Sequence, residues 1–410
     1  MLGMVAALAS VDRQCFSVLL TTIQRDLRVN DAAMGFVTGS AFTIVYAVIA
    51  LPLARVADHT NRRNFLAFAT AVWSLATAAC ALTAGVFQLL IARIVVGAAE
   101  AARPPSTMSM LGDLFSASRR GSGVSVVIMG SSLGVGVGAA LAGALNDSYG
   151  WRGALAIIGA PGLLVALLFW LTVREPVRGA QDAAGVAEPP RETIGQCLRR
   201  CARIRTIYPF GFGWLLLCAA NTAWLTWMPA FLIRVHHLNT TKAGAIFGGV
   251  VLTATVGAVT AGVLTDVLAR RGARWRLYYA FAALALCGAL AFAALLSPTL
   301  EGAMLCLVLH SFVSAGCTAV GTAVYVSFAP PTMRGFVTAL MGLLNALASA
   351  AGAPLFGAVN DVLKRDYGDQ ALRYTLLLSP VLAVAAGLLF LVASRTLDRD
   401  VALAASPTAA

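Results

Sequence analysis

Apolar stretches of about 20 residues recur along the whole chain, separated by short polar segments, and each is long enough to cross ~30 Å of hydrocarbon. Twelve transmembrane helices are predicted, over 1–21, 32–54, 64–84, 86–110, 122–145, 153–173, 208–233, 243–265, 275–296, 302–328, 336–358 and 373–393. Residues 1–21 hold Asp12 and Arg13 in mid-stretch and lack a small-residue cleavage site, so they read as a first helix and not as a cleaved signal. The one long connection, 174–207, is polar, contains Pro176, Pro189 and Pro190, and ends in Arg199, Arg200, Arg203 and Arg205. It divides the chain into an N-terminal six-helix bundle (1–173), a cytoplasmic linker (174–207), a C-terminal six-helix bundle (208–394) and a cytoplasmic tail (395–410).

Composition agrees with this pattern. The chain is 59% hydrophobic and only 12% charged, with a mean hydropathy of +0.81, whereas a soluble domain carries about 25% charged residues. The formal charge of +12 invites a nucleic-acid reading, which the distribution of that charge excludes. Nineteen of the thirty Lys and Arg lie in the loops and tail on the side of residue 1, among them Arg55, Arg119, Arg174, Arg276, Arg334 and Arg395. Eight lie on the opposite side: Arg25, Arg28, Arg152, Arg234, Lys242, Lys364, Arg365 and Arg373. This is the positive-inside pattern, and it predicts an inner (plasma) membrane protein with both termini cytoplasmic. Six of the eight cysteines fall inside apolar helices, where Cys acts as a small hydrophobe. Cys197 and Cys201 share a face of the linker but have no His or further Cys nearby, so no metal site is expected.

Three pairs of loop signatures recur in the same order. Ala54–Arg63 and Gly262–Gly272 each place an Asp (Asp58, Asp266) four residues ahead of an Arg pair (Arg62–Arg63, Arg270–Arg271). Arg120-Gly121 matches Arg334-Gly335, and Asn146-Asp147 matches Asn360-Asp361, each 214 residues on. Two parallel six-helix halves follow, related by an axis along the membrane normal, an arrangement found among secondary transporters.

The loop pattern Gly, three residues, Asp, three residues, two basic residues resembles the signature of the major facilitator superfamily, and the resemblance covers essentially the full length. Within that superfamily the chain looks most like the spinster-like group. The residues that carry this are Val11-Asp12-Arg13, Asn61-Arg62-Arg63-Asn64, Ala92–Ala101 with Pro104-Pro105, Tyr149-Gly150-Trp151-Arg152 and Trp227–Leu232. The anion–cation symporters of the same superfamily share the Asp-Arg of the first helix. The fifth helix supplies Gly130, Gly134, Gly136, Gly138 and Gly143 but lacks the Pro of the antiporter pattern, so drug/proton antiport is not inferred. The resemblance implies an all-α membrane protein of twelve helices in two pseudo-symmetric bundles, with helices one, four, seven and ten lining a central cavity.

Ionisable groups inside hydrocarbon cost several kcal/mol and so mark functional sites. Asp12 and Arg13 lie in helix one, and Arg93, Glu100 and Arg103 in helix four. Arg93 and Glu100 are seven residues apart and share a face, about 10 Å along the axis; Arg103 follows within a turn. Helix one runs outward and helix four inward, which brings Asp12 and Glu100 to similar depth. Such a carboxylate takes a proton when its cavity faces the acidic side and loses it when an Arg approaches. Asp12 and Glu100 are therefore the expected proton-coupling groups. Arg13, Arg93 and Arg103 are their expected partners or the binders of an anionic solute; the alternative is a buried ion network that only holds the helices together. The C-terminal half offers Asn221, Trp224, Trp227, His310, Tyr325 and Asn345 as a polar and aromatic wall for the same solute. Trp224 and Trp227 equally suit an interfacial aromatic belt. By resemblance, Asp58, Arg62, Arg63 and Asp113 form a cytoplasmic latch, with Asp266, Arg270 and Arg271 as its counterpart.

No His-Glu-x-x-His, Gly-x-Ser-x-Gly or Gly-x-x-x-x-Gly-Lys motif occurs, so neither enzyme chemistry nor direct ATP use is expected, and no cofactor is implied. The expected function is proton-coupled transport by alternating access, carried out by a monomer in the lipid bilayer. The spinster-like resemblance implies lipid-like amphiphiles as substrate, and the symporter resemblance implies small soluble carboxylates. A sensor or scaffold with a transporter fold is the alternative of a different class.

Overall fold

In the computed structural model, which describes residues 1–116, 119–180, 194–330 and 333–405, every regular element is helical. The side chains of residues 194, 266, 318, 319 and 405 lie outside the described set. Nine helices among the described residues are long and apolar enough to cross a membrane, and three local breaks account for twelve crossings. The helix Arg120–Thr172 turns at Gly150 (φ 70, ψ 172), a left-handed backbone that favours glycine, and so supplies the fifth and sixth spans. The run Arg334–Ala404 is interrupted at Gly368 (φ 55), which separates the eleventh span from the twelfth. The fourth span is two short helices, Val86–Glu100 and Arg103–Leu114, each too short to cross alone. Pro104 and Pro105 sit in the first turn of the second piece, where a missing N–H costs nothing. Glu100 is thereby the last residue of its helix.

The chain packs as two compact units. The first holds Met1–Gly185, Leu225–Leu252 and Ala353–Leu372; the second holds Val186–Trp224, Thr253–Gly352 and Arg373–Ala410. In the first unit, Val5, Leu66, Trp73, Val96 and Phe169 are buried together. Glycines of the fifth span let it lie directly on the first: a Cβ on Gly138 would stand 2.7 Å from the Cα of Val11, and one on Gly134 would strike the backbone of Ala7. That approach seats Asp12 and Arg13. Large apolar side chains such as Leu51 (78% exposed) and Leu82 (85% exposed) point outward, as a lipid-covered surface requires. In the second unit, Phe210 stacks on Phe390 (5.0 Å) and meets Phe328 edge-on (5.9 Å). The linker helix Ile194–Cys201 buries Cys197 and Cys201 in this same core.

The internal repeat extends to contacts the sequence does not announce. The carboxylate of Glu175, just after the sixth span, accepts from the backbone N–H of Arg63 at 2.8 Å, at the start of the third. Asp398, in the twelfth helix, accepts from the backbone N–H of Arg274 at 3.1 Å, at the start of the ninth. Both carboxylates cap helix N-termini. Asp400 adds a bond from the N–H of Thr206 (2.9 Å). These bonds explain why the last helix runs on to Ala405, beyond the apolar stretch that ends at 393.

Candidate functional site

All five charges expected within the membrane converge inside the first unit. Arg13 Nε lies 3.0 Å from Glu100 Oε2; Glu100 is fully buried, while the Arg13 side chain is 39% exposed. Asp12 is fully buried and accepts a 3.2 Å bond from the Thr77 hydroxyl, leaving its other oxygen without a hydrogen-bond partner. Arg93 is 1% exposed, and its Nε and Nη1 have no hydrogen-bond partner. Its guanidinium lies instead over the rings of Phe16 (4.1 Å) and Phe42 (5.0 Å). Phe42 also faces Arg13 at 5.4 Å, and Tyr46, stacked on Phe42, faces Arg13 at 5.8 Å. Cation–π contacts strengthen on desolvation to about 2 kcal/mol, which partly offsets the missing hydrogen bonds of Arg93. Arg103, one turn past Glu100, buries its Nε without a partner.

The second span reaches these charges through a local irregularity. A single π-helical turn, Phe36–Ser40, precedes Phe42. The residue it inserts rotates the rest of the span by about 100°, which sets the register of Phe42 and Tyr46. Gly97 completes the fit: a Cβ there would lie 2.9 Å from the Phe42 carbonyl oxygen and 3.2 Å from its ring. Gly97→Ala is therefore expected to push Phe42 off the two guanidinium groups at a cost of about 1–3 kcal/mol. A lowered thermal unfolding midpoint together with impaired transport would confirm it; an unchanged midpoint would count against the close contact.

The expected C-terminal wall divides. Asn221, Trp224 and His310 line one cavity of about 40 Å³ in the second unit. Trp224 and His310 rings are 4.6 Å apart, and His310 Nδ1 donates to the Cys287 carbonyl at 3.0 Å. A space of that size admits a few waters and no organic solute. Trp227 does not join them. It is fully buried in the first unit and donates its indole N–H to the Ala353 carbonyl at 3.0 Å, so it is a packing residue and neither a belt nor a solute wall. Tyr325 is also core, edge-on to Trp214 at 6.0 Å. Asn345 is exposed and accepts from Ser349 at 3.4 Å.

The charged cluster after the second span differs from expectation in its membership. Arg62, 1% exposed, donates to Asp113, to Glu175 (2.7 Å), to Ser109 Oγ (2.8 Å) and to the Pro176 carbonyl (2.8 Å). Asp58 is exposed and, among the described residues, pairs with neither arginine. Arg63 gives Glu175 only its backbone N–H, and its side chain lies over Trp170 at 5.8 Å. The first residues of the linker fold back and supply the second acid, which displaces Asp58 from the cluster. Of the counterpart residues, the side chain of Asp266 lies outside the described residues. Arg270 is exposed, and Arg271 lies over Trp275 at 5.7 Å.

At the far end of the first unit stands a clasp that no isolated motif announces. Asp361 accepts from the backbone N–H of Asp31 and of Ala32, each at 2.9 Å, and Asn360 donates to Asp31 at 2.7 Å. Asp147 accepts from the Thr241 N–H at 2.9 Å and from both threonine hydroxyls, while Asn146 donates to Thr240 at 2.8 Å. The two Asn-Asp pairs of the repeat thus cap the starts of the second and eighth spans respectively. Arg234 pairs with the fully buried Asp31 at 2.9 Å and donates to Gln24.

Charges this costly to bury, held on the first and fourth spans of a twelve-span chain, define a class: a polytopic membrane transporter, not an enzyme. The chain belongs to the Major Facilitator Superfamily, whose family pattern matches residues 2–353. It is 29% identical over 406 residues to an MFS-type efflux pump of Mycolicibacterium smegmatis, covering 98% of this chain and 92% of that one. It is 25% identical to the sphingosine-1-phosphate transporter SPNS2 of Danio rerio, covering 93% of this chain and 80% of that protein. Among solved structures, a bacterial homologue of the human lysosomal transporter spinster, inward-facing and occupied, superposes with a TM-score of 0.85 over 97% of this chain and 96% of that one. At 23% identity that likeness shows the fold alone.

Proposed function

We propose that this transporter moves an anionic, amphipathic organic solute across the inner membrane by alternating access, driven by protons that bind Glu100 and Asp12, with both chain termini in the cytoplasm. The observation that carries this reading is the charge imbalance: three guanidinium groups face two carboxylates, and Arg93 is sealed in with no hydrogen-bond partner at Nε or Nη1. A buried cation in that state has capacity for an incoming anion, and Phe16, Phe42 and Tyr46 supply apolar surface beside it. Arg13 links proton to solute. While Glu100 is ionised it holds Arg13 at 3.0 Å; a proton on Glu100 frees that guanidinium for the solute's anionic group. Proton and anion therefore bind cooperatively, and anion affinity rises as pH falls. The name of the SPNS2 relative is consistent with a lipid-like anion.

The test uses proteoliposomes with an imposed pH gradient and a single-chain lysophospholipid. Glu100→Gln is expected to abolish gradient-driven uptake, to leave exchange at equal pH intact, and to flatten the pH dependence of binding. Unchanged gradient-driven uptake would sink the coupling role of Glu100.

A further inference from the structure

The far end of the first unit carries a cavity of about 320 Å³ bordered by Arg25, Arg28, Arg234, His237, Lys364 and Asp369. Four permanent cations and a titratable imidazole share this wall with one carboxylate. Like charges gathered at one opening repel one another, and among the described residues no ion pair offsets most of them. Arg25, Arg28 and Lys364 form no ion pair among the described residues, and Arg234 is committed to Asp31 and Gln24. The backbone adds a second, independent observation. Arg28 and His237 are the two residues other than glycine with left-handed backbone among those described, each at φ 53. Both border this same cavity. A left-handed residue with a Cβ is disfavoured by roughly 1–2 kcal/mol, and helices commonly end in this geometry on glycine. Here the ends of the first and seventh spans each place a basic side chain there instead.

We infer that this cavity is an anion-binding site for a phosphate or carboxylate group, separate from the Arg13–Glu100 compartment. Along the first span, Arg25 and Arg28 stand about 20 Å from Arg13 at 1.5 Å per residue, so one small anionic group cannot reach both. The volume lies at the low end of ligand sites, which run from about 300 to 1,000 Å³, and suits a head group without its chain. Guanidinium forks bind such oxyanions bidentately. Arg234 belongs to both the cavity and the clasp, so an anion seated here competes with Asp31 for it and loosens the contact at the start of the second span. In the orientation proposed above, the site faces outward. Its existence does not depend on that orientation or on proton coupling.

The ligand group has two sources, a soluble anion or the head group of an anionic lipid. The full chain is placed in phosphatidylcholine nanodiscs and titrated with inorganic phosphate at constant ionic strength, reading the thermal unfolding midpoint, which rises with occupancy. A saturable rise is expected. The exposed double variant Arg25→Gln/Arg28→Gln should keep the phosphate-free midpoint and weaken the apparent affinity by about tenfold or more. Asp31→Asn, which releases Arg234, should strengthen it. In nanodiscs containing phosphatidylglycerol, loss of the phosphate response identifies the lipid head group as occupant, and its persistence identifies a soluble anion. No response in phosphatidylcholine, or equal affinity in the double variant, would overturn the site. Unaltered affinity in Asp31→Asn would overturn the competition for Arg234.

Discussion

Arg93→Met is expected to lower transport of an anionic solute by about 100-fold while leaving the folded protein as stable as the wild type, or more stable. The two effects have one cause. Burying a guanidinium costs several kcal/mol, and replacing buried charge by an apolar side chain of similar volume is often neutral or stabilising by about 1–4 kcal/mol. Arg93 forms no hydrogen bond through Nε or Nη1 and rests between two aromatic rings that would receive a methionine equally well. What methionine cannot do is meet a negative charge. Loss of one partner of a desolvated charge pair costs about 2–5 kcal/mol, and about 3 kcal/mol is roughly 100-fold. Arg93→Lys should fall between, since it keeps the charge but loses the planar stacking surface. Uptake in proteoliposomes and the unfolding midpoint in detergent measure the two halves of the claim. Transport within a few-fold of wild type in Arg93→Met would remove Arg93 from the solute path, and a large loss of stability would make it a structural group.

Arg234→Met is expected to act in the opposite sense, lowering stability by about 3–5 kcal/mol. Arg234 is 8% exposed and Asp31 is fully buried, so removing the cation strands a carboxylate beside the neutral amides of Asn360 and Gln24. The double variant Arg234→Met/Asp31→Asn should recover most of the loss, because no uncompensated charge remains. The cycle of four proteins then gives a coupling energy of a size reserved for residues in direct contact. Additive losses would mean that Arg234 acts through Gln24 or Trp227, over whose ring it lies at 5.9 Å. Asp361, which caps the same helix start by accepting two backbone N–H bonds, should be insensitive to the Arg234 substitution.

The twelve spans are readable in the sequence because hydrophobic length is a property of consecutive residues. So are Asp12, Arg13, Arg93 and Glu100, which stand out as charges in apolar runs. Their surroundings are not readable. Phe16, Phe42 and Tyr46 look like ordinary membrane-span aromatics, and the π-helical turn that orients two of them leaves no composition signal. Thr77 is one hydroxyl among many. Glu175 sits in a polar linker, where an acid is unremarked until the chain is seen to fold back onto Arg62. Trp224 and Trp227, three residues apart, suggest one shared face. On a helix, though, they are offset by about 60°, enough for one to flank His310 while the other is sealed against Ala353. The paired Asn-Asp signatures are visible as a repeat, but the repeat alone does not say that each pair acts on the other copy's helix.

That crossing has a mechanical meaning. Asn146-Asp147 of the first repeat fasten the eighth span, and Asn360-Asp361 of the second fasten the second span. Each sibling therefore carries the buckle for the other's strap, and neither can fasten its own. A chain cut within the linker is therefore expected to regain both sets of bonds only when the two fragments are made together, which co-purification of the fragments would measure.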